Sequence, residues 1–244
     1  MHVAAKRTMR IAATGDLHFG KASAGTLQPL LSQIATEADV LVLAGDLTDY
    51  GTPEEGRTLV KELATSVRIP IVAVLGNHDF EAGAEREIHQ MLADHGVFVL
   101  DGDTCEVQGV GFAGVKGFAG GFGRRALGPW GEPIIKQFVH EAVNESLKLE
   151  SALARLRTDK IVVVLHYAPI EMTVEGEPRE IFPYLGCSRL AEPLSRFAVT
   201  AVIHGHAHNG ALEGRTASNV PVYNVAYPLM KRLTPERPFR ILEI

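Results

Sequence analysis

Five short segments of this chain place aspartate, histidine or asparagine directly after a run of aliphatic residues. Ile11–Thr14 runs into Gly15-Asp16-Leu17-His18, and Val40–Ala44 into Gly45-Asp46-Leu47-Thr48-Asp49. Ile71–Leu75 is followed by Gly76-Asn77-His78-Asp79, Ile161–Leu165 by His166, and Val199–Ile203 by His204-Gly205-His206-Ala207-His208. Carboxylate oxygen and imidazole nitrogen are the donors that hard and borderline divalent cations prefer over thiolate. The chemistry these residues suggest is therefore that of a metal centre. One aspartate after a strand is ordinarily a turn residue or a helix cap, and one histidine is ordinarily a surface or core residue. Five such endings in one chain do not read as independent turns.

The elements that must position these residues alternate between two patterns. The aliphatic runs are nearly continuous, not alternating with polar residues, which fits strands buried on both faces of a sheet. Amphipathic helices lie between them. Leu27, Leu30, Leu31, Ile34, Ala35 and Ala38 keep helical spacing. A helix follows Thr52, where Thr52 is the N-cap, Pro53 the first helical residue and Glu55 the closing residue of a capping box. Further helices are predicted over Glu85–Asp94, Ile134–Leu156 and Arg189–Phe197. Val97–Leu100, Cys105–Val107 and Val110–Val115 follow one another as strands, as do Val220–Val225 and Phe239–Ile244 with no helix between them. The alternation predicts a layered α/β fold, with a mixed sheet or two sheets. In open α/β sheets the carboxyl ends of the strands form the ligand crevice, so all five segments deliver their polar residues to one edge. Lys116–Pro133, rich in glycine, and Glu171–Gly186 read as long loops, a length usually tied to function or disorder.

Composition limits the alternatives. With 46% hydrophobic and 22% charged residues, the chain has the make-up of an ordered globular protein. Its net charge of −5 offers no extended nucleic-acid surface. Cys105 and Cys187 form no disulfide framework, and the aliphatic runs are too short to span a bilayer. Residues 1–10, with Lys6, Arg7 and Arg10 but no apolar stretch, do not read as a secretory signal. The expected location is the cytoplasm, with no membrane partner. No Gly-x-x-x-x-Gly-Lys-Ser/Thr segment occurs, so a nucleotide-dependent kinase or ATPase has no support. A metal-dependent amidohydrolase would carry its His-x-His early and an aspartate late, the reverse of the order here.

Taken in order, Asp16/His18, Gly45-Asp46/Asp49, Gly76-Asn77-His78-Asp79, His166 and Gly205-His206/His208 resemble the blocks of the calcineurin-like metallophosphoesterase superfamily. The resemblance spans residues 16 to 208. It implies a four-layer αββα sandwich, two mixed β-sheets flanked by helices, in a single domain over residues 1–244 with the Gly-rich loop 116–133 near the active site. It also implies two divalent metal ions, manganese first, with iron or zinc as alternatives. By that resemblance the first ion takes Asp16, His18, Asp46 and His208. The second takes Asp46, Asn77, His166 and His206, with Asp46 bridging. His204 falls before the Gly-His-x-His block and is left as a structural residue.

The implied activity is hydrolysis of a phosphodiester or phosphomonoester of a small phosphorylated or nucleotide substrate, by attack of a metal-bridging hydroxide. Two ions suit an in-line displacement at phosphorus. Set against Asp16, Asp46 and one hydroxide, they leave the site about one positive charge, which supplies the attraction for phosphate that the chain as a whole lacks. His78 becomes a phosphate contact and the general acid for the leaving group, with Asp49 orienting and charging it; the plainer role for Asp49 is a cap near Thr52. Arg124 and Arg125 of the Gly-rich loop are candidates to contact phosphate, or else solvated arginines of a surface hairpin. Tyr167 lines the pocket or simply packs.

Departures from the pattern narrow the branch. Tyr50 and Asp79 stand where Ser/Thr protein phosphatases have arginine and glutamate. His78 stands where lipid-precursor diphosphatases have arginine, and the chain after His208 is too short for the cap of the DNA-repair nucleases. The remaining expectation is the small bacterial-type phosphoesterase and phosphodiesterase group. The rival to an enzyme is a catalytically silent metal-binding scaffold of the same fold.

Overall fold

The computed structural model describes residues 8–20 and 23–244. His2, Lys6, Arg7 and most of the stretch tested for a secretory signal lie outside the described residues. Eleven strands form two sheets among them. The first sheet has the order β11-β1-β2-β3-β4, from β1 (Arg10–Thr14), β2 (Val40–Ala44), β3 (Ile71–Val74), β4 (Val97–Val99) and β11 (Arg240–Glu243). The second has the order β5-β6-β7-β8-β10-β9, from β5 (Asp103–Val107), β6 (Val110–Gly114), β7 (Lys160–Val164), β8 (Ala201–His204), β9 (Glu213–Arg215) and β10 (Pro221–Asn224). Both are mixed: parallel strands dominate, with β11, β5 and β9 antiparallel to their neighbours.

The continuous aliphatic runs have a direct explanation in the packing. Along β2, Val40, Val42 and Ala44 face the second sheet, where they meet Phe112, Val162, Val164 and Ile203. Leu41 and Leu43 face the other way, into a core shared with the helices α1 (Gln28–Glu37), α2 (Pro53–Ser66) and α3 (Glu85–Asp94). Successive side chains of a strand point to opposite faces, so a strand covered on both sides must be apolar at every position. On the far side of the second sheet, Leu149, Ala152 and Leu153 of the long helix α4 (Pro133–Arg155) pack on Ala113, Val163 and Val202. Helices, two sheets and helices thus make the four layers of an α/β sandwich.

Local sequence sets several element boundaries. Thr52 caps α2 through a complete capping box with Glu55, after which Pro53 opens the helix. The hairpin from β5 to β6 turns on Gln108 and Gly109, both at positive φ, which fits the right-handed twist of the strands. Two expectations fail. The helix predicted over Arg189–Phe197 is a short 3-10 turn, Ser188–Leu190, followed by one turn of α-helix, α6 (Ala191–Leu194). Pro193 has no N–H to donate back to Arg189, so a helix begun at Arg189 has no bond at that point. Between β10 and β11 stands a helix that the sequence reading omits, α7 (Tyr227–Leu233), opened by Pro228 in its first turn. The loops 116–133 and 171–186 hold little regular structure beyond 3-10 turns and the four-residue α5 (Phe182–Leu185). They are joined to each other, since Gly120 N–H donates to the Pro183 carbonyl and Gly121 N–H to that of Gly186. Among the described residues no helix is long and apolar enough to cross a membrane.

Candidate functional site

The carboxyl ends of β1, β2, β3, β7 and β8 meet where the two sheets open, and their loops bring Asp16, His18, Asp46, Asn77, His166, His206 and His208 together. Asp16, His18, Asp46 and His206 all take positive φ, between 43° and 69°. Non-glycine residues held there store strain that the surroundings must offset, and such residues cluster at functional sites. Glycines beside them allow the close approach. A Cβ at Gly76 would collide with the Asp46 carboxylate, and one at Gly205 with that of Asp16.

The two aspartates are buried, each 1% exposed. Asp16 accepts the His206 N–H at 3.0 Å and lies 3.1 Å from His208 Nε2. Asp46 Oδ1 accepts the His78 N–H at 2.8 Å. Burial alone would raise the Asp46 carboxyl, but the His166 ring and the His78 amide hold it well below the usual carboxylate range. His166 is wholly buried, and its Nδ1 faces the Ala44 carbonyl at 3.0 Å. Its Nε2 stands 2.9 Å from Asn77 Oδ1 and 3.3 Å from Asp46 Oδ1. Against the effect of its burial, Asp46 raises His166 to about 9. His206 goes the other way, to about 4, because it is desolvated and lies beside His166.

These contacts test whether a cation fits. With the Nδ1 proton of His166 engaged by Ala44, Nε2 is the ring atom that offers a lone pair beside two carbonyl-type oxygens once a cation displaces its proton. Two oxygens about 3 Å from one imidazole nitrogen are spaced as neighbouring donors to one divalent ion would be. His206 Nε2 donates to the Tyr184 carbonyl at 3.1 Å, which leaves Nδ1 as its ligand atom. On the other side His18 Nε2 is buried with no hydrogen-bond partner among the described residues, 3.8 Å from Asp46 Oδ2. Ligand atoms of Asp16, Asp46, His166 and His206 lie within 4.8 Å of one another, as do those of Asp16, His18 and His208. These two groups share Asp16, and a third, His18, Asp46 and His78, shares Asp46 with the first and His18 with the second; the donor set fits metal binding and includes no cysteine.

His78 sits at the rim, its ring 4.5 Å from that of His18, edge to face. Its Nδ1 lies 2.7 Å from the backbone carbonyl of Asp49. The expected carboxylate contact is absent: Asp49 Oδ1 is 3.5 Å from His18 Nδ1 instead, because the carboxylate points across the loop toward β1. Asp49 is not the cap of α2 either, since Thr52 holds that place. Tyr167 is buried, and its ring packs 4.5 Å from that of His206 and 5.4 Å from that of His166. Arg124 and Arg125 are exposed on the single turn Gly123–Arg125, and the structure does not bring them to the cluster. His204 is buried and bonded to Thr173 Oγ1 at 2.8 Å, a structural role.

Other contributors are given no role by the sequence reading. Asp79, fully buried, accepts from Leu47 N–H, Thr48 N–H, Thr48 Oγ1 and Gly76 N–H at 2.7–3.1 Å. It staples the loop after β2 to the loop after β3, and so fixes Asp46 against Asn77. Its place inside the Gly-Asn-His-Asp block was the available hint. The carbonyls of Ala44 and Tyr184 orient rings without any side-chain signature.

Comparison with known proteins agrees with this geometry. Residues 9–210 match the family described as calcineurin-like phosphoesterase. Over 184 residues, 73% of this chain, the sequence is 24% identical to a probable glycerophosphodiester phosphodiesterase, GpdQ, of Arcobacter nitrofigilis. The match covers 59% of that relative's length. Among solved structures, the phosphopantetheinyl hydrolase PptH of Mycobacterium tuberculosis superposes with a TM-score of 0.69 at 17% identity, covering 98% of this chain and 97% of that one. A protein of Thermus thermophilus superposes with a TM-score of 0.57 at 16% identity, covering 97% and 99%. At such identities the likeness is one of fold.

Proposed function

The chain belongs to the calcineurin-like phosphoesterase family, and on that premise we propose that it is a metal-dependent hydrolase of phosphoesters, acting on a phosphodiester or phosphomonoester of a small molecule or nucleotide. One observation carries the reading. His166 Nε2, Asn77 Oδ1 and Asp46 Oδ1 converge at 2.9 and 3.3 Å with the His166 Nδ1 proton directed elsewhere. The phosphodiesterase named among its relatives supports the reaction class.

Asp16, His18, Asp46 and His208 would hold one ion, and Asp46, Asn77, His166 and His206 a second. When bound, divalent ions such as manganese, iron or zinc supply charge that attracts phosphate, stabilises the phosphoryl oxygens and acidifies water. The protein's residues do the rest. Asp16 and Asp46 set the charge of the site, while neutral Asn77 adds a ligand without reducing it further. His78 donates its Nδ1 proton to the Asp49 carbonyl, which leaves Nε2 as the atom that can carry a proton to the departing oxygen. Asp49 acts on this ring through its carbonyl and on His18 through its carboxylate. Tyr167 walls the site behind His206.

The test is hydrolysis of bis(4-nitrophenyl) phosphate by the full chain, chelated and then reloaded with Mn²⁺. Activity should vanish on chelation and return on reloading. His78→Ala should lower kcat by about 10²–10⁴-fold at unchanged metal content. Activity that survives chelation would refute the reading, and inertness toward every phosphoester at full metal loading would favour a binding scaffold.

A further inference from the structure

Beside the cluster lies a cavity of about 440 Å³ that the roles above leave unused. Its walls come from the turn His78–Phe80, α3, the ends of β3 and β4 and the segment after β6, with Phe80, Arg86, His89 and Lys116 among the lining residues. Lys116 is the unusual member. Its ammonium lies 5.2 Å from the ring centre of Phe80, 5.0 Å from that of Phe118 and 5.3 Å from that of Tyr167. Three aromatic faces hold the cation in place. Its one hydrogen bond is to the Gly117 carbonyl at 3.1 Å, and it makes no salt bridge among the described residues. A half-buried ammonium with donors to spare, lining a cavity, is a poised anion contact.

The charge of the lining agrees. Arg86 and His89 join Lys116 on the basic side. Of the two acids on the lining, Asp101 is paired with Lys148, and Glu85, at the start of α3, has no ion pair among the described residues; behind the lining, Glu145 and Glu141 of α4 also act on Lys116, and Glu145 is paired with Lys148. The position also agrees. The Tyr167 ring that Lys116 touches is packed 4.5 Å from the His206 ring, so Lys116, on the cavity wall, stands one aromatic ring from the cluster. Phe80 ties it equally closely to His78, two residues earlier.

We infer that this cavity is a second anion subsite, in which Lys116, helped by Arg86, receives a distal phosphate of the substrate while the scissile phosphoester lies at the cluster. The inference rests on the phosphoesterase reading and names its substrate class: a phosphoester carrying a further phosphate, rather than a diester with neutral arms. A neutral-armed substrate would leave the ammonium's donors unused.

Two measurements on the metal-loaded full chain test it. The first compares 4-nitrophenyl esters of thymidine 5′-phosphate with and without a 3′-phosphate. The wild type should favour the phosphorylated ester at least tenfold in kcat/KM, chiefly through KM. Lys116→Met should cut that ratio at least tenfold and Arg86→Gln severalfold. A ratio near one in the wild type, or one unmoved by Lys116→Met, overturns the subsite while ester hydrolysis, and with it the phosphoesterase reading, still stands. The second is calorimetric titration with inorganic phosphate. The wild type should show one phosphate at the metals and one more that Lys116→Met removes; identical stoichiometry in both proteins overturns the proposal. Loss of that second phosphate in a protein that hydrolyses no ester would uphold the subsite and sink the catalytic reading instead. Arg86 is exposed, so its variant keeps the test meaningful if Lys116→Met folds poorly.

Discussion

The His166–Asp46 pair makes metal binding and stability depend on pH in a way that can be calculated. In the metal-free chain, Asp46 raises His166 from 6.5 to about 9 against the effect of burial. Between those values the folded chain binds a proton that the unfolded chain has released, so stability falls as pH rises through the window. The contribution is fully present below pH 6.5 and gone above about 9. At 1.36 kcal/mol per pKa unit the span amounts to about 3 kcal/mol. For a chain of this size that is on the order of 10 °C in Tm. The two groups titrate as one unit, so the proton belongs to the pair. A cation must displace it, because only the unprotonated Nε2 can ligate. Metal binding below pH 9 should therefore release at least one proton, since Asp16 also holds His208 toward its protonated form, and affinity at the His166 position should weaken by about tenfold for each pH unit below 9. Thermal melts of the chelated protein from pH 6.5 to 9 read the first effect, and calorimetry in two buffers of different ionisation enthalpy reads the second. His166→Gln should remove the stability slope. A chelated wild type that melts in parallel with His166→Gln, or metal binding that releases no proton at pH 7.5, would refute the argument.

Two further outcomes follow from buried contacts. Asp79→Ala should lower stability by about 3–5 kcal/mol in urea unfolding, since four buried donors lose an acceptor at once; metal affinity should fall with it, because the loops bearing Asp46 and Asn77 lose their staple. Thr52→Ala should cost about 1 kcal/mol by removing the side-chain half of the α2 capping box, a shift visible in the urea midpoint with metal affinity intact.

The features that were legible in the chain share a cause. A strand covered on both faces must be apolar at each position, so Val40–Ala44 announces itself as a run, and burial of that run bears the statement out. The polar residues that break such runs stand out for the same reason, and the strand ends carrying Asp16, Asp46, Asn77, His166 and His206 are legible in the sequence itself. Short helices were less legible. Within Arg189–Phe197 a plausible apolar spacing is overruled by one missing N–H at Pro193, and α7 spans only Tyr227–Leu233, too short for its period to show.

The orientation of the site was hidden for a different physical reason. Three imidazoles of the cluster are aimed by backbone carbonyls: His166 by Ala44, His206 by Tyr184 and His78 by Asp49. A carbonyl is present at every residue, so its use depends on the path of the chain and leaves no mark on residue type. Reading Asp49 by its side chain therefore assigned the right neighbourhood and the wrong atom. The same reasoning explains Lys116. Its identity is visible, but its meaning comes from three rings, Phe80, Phe118 and Tyr167, that converge only when β6, β7 and the turn after β3 lie side by side. Ligand type is chemistry, and residue names carry it; tautomer, direction and neighbourhood are set by the fold, and at this site they decide which nitrogen can meet a metal and which ammonium is left to meet an anion.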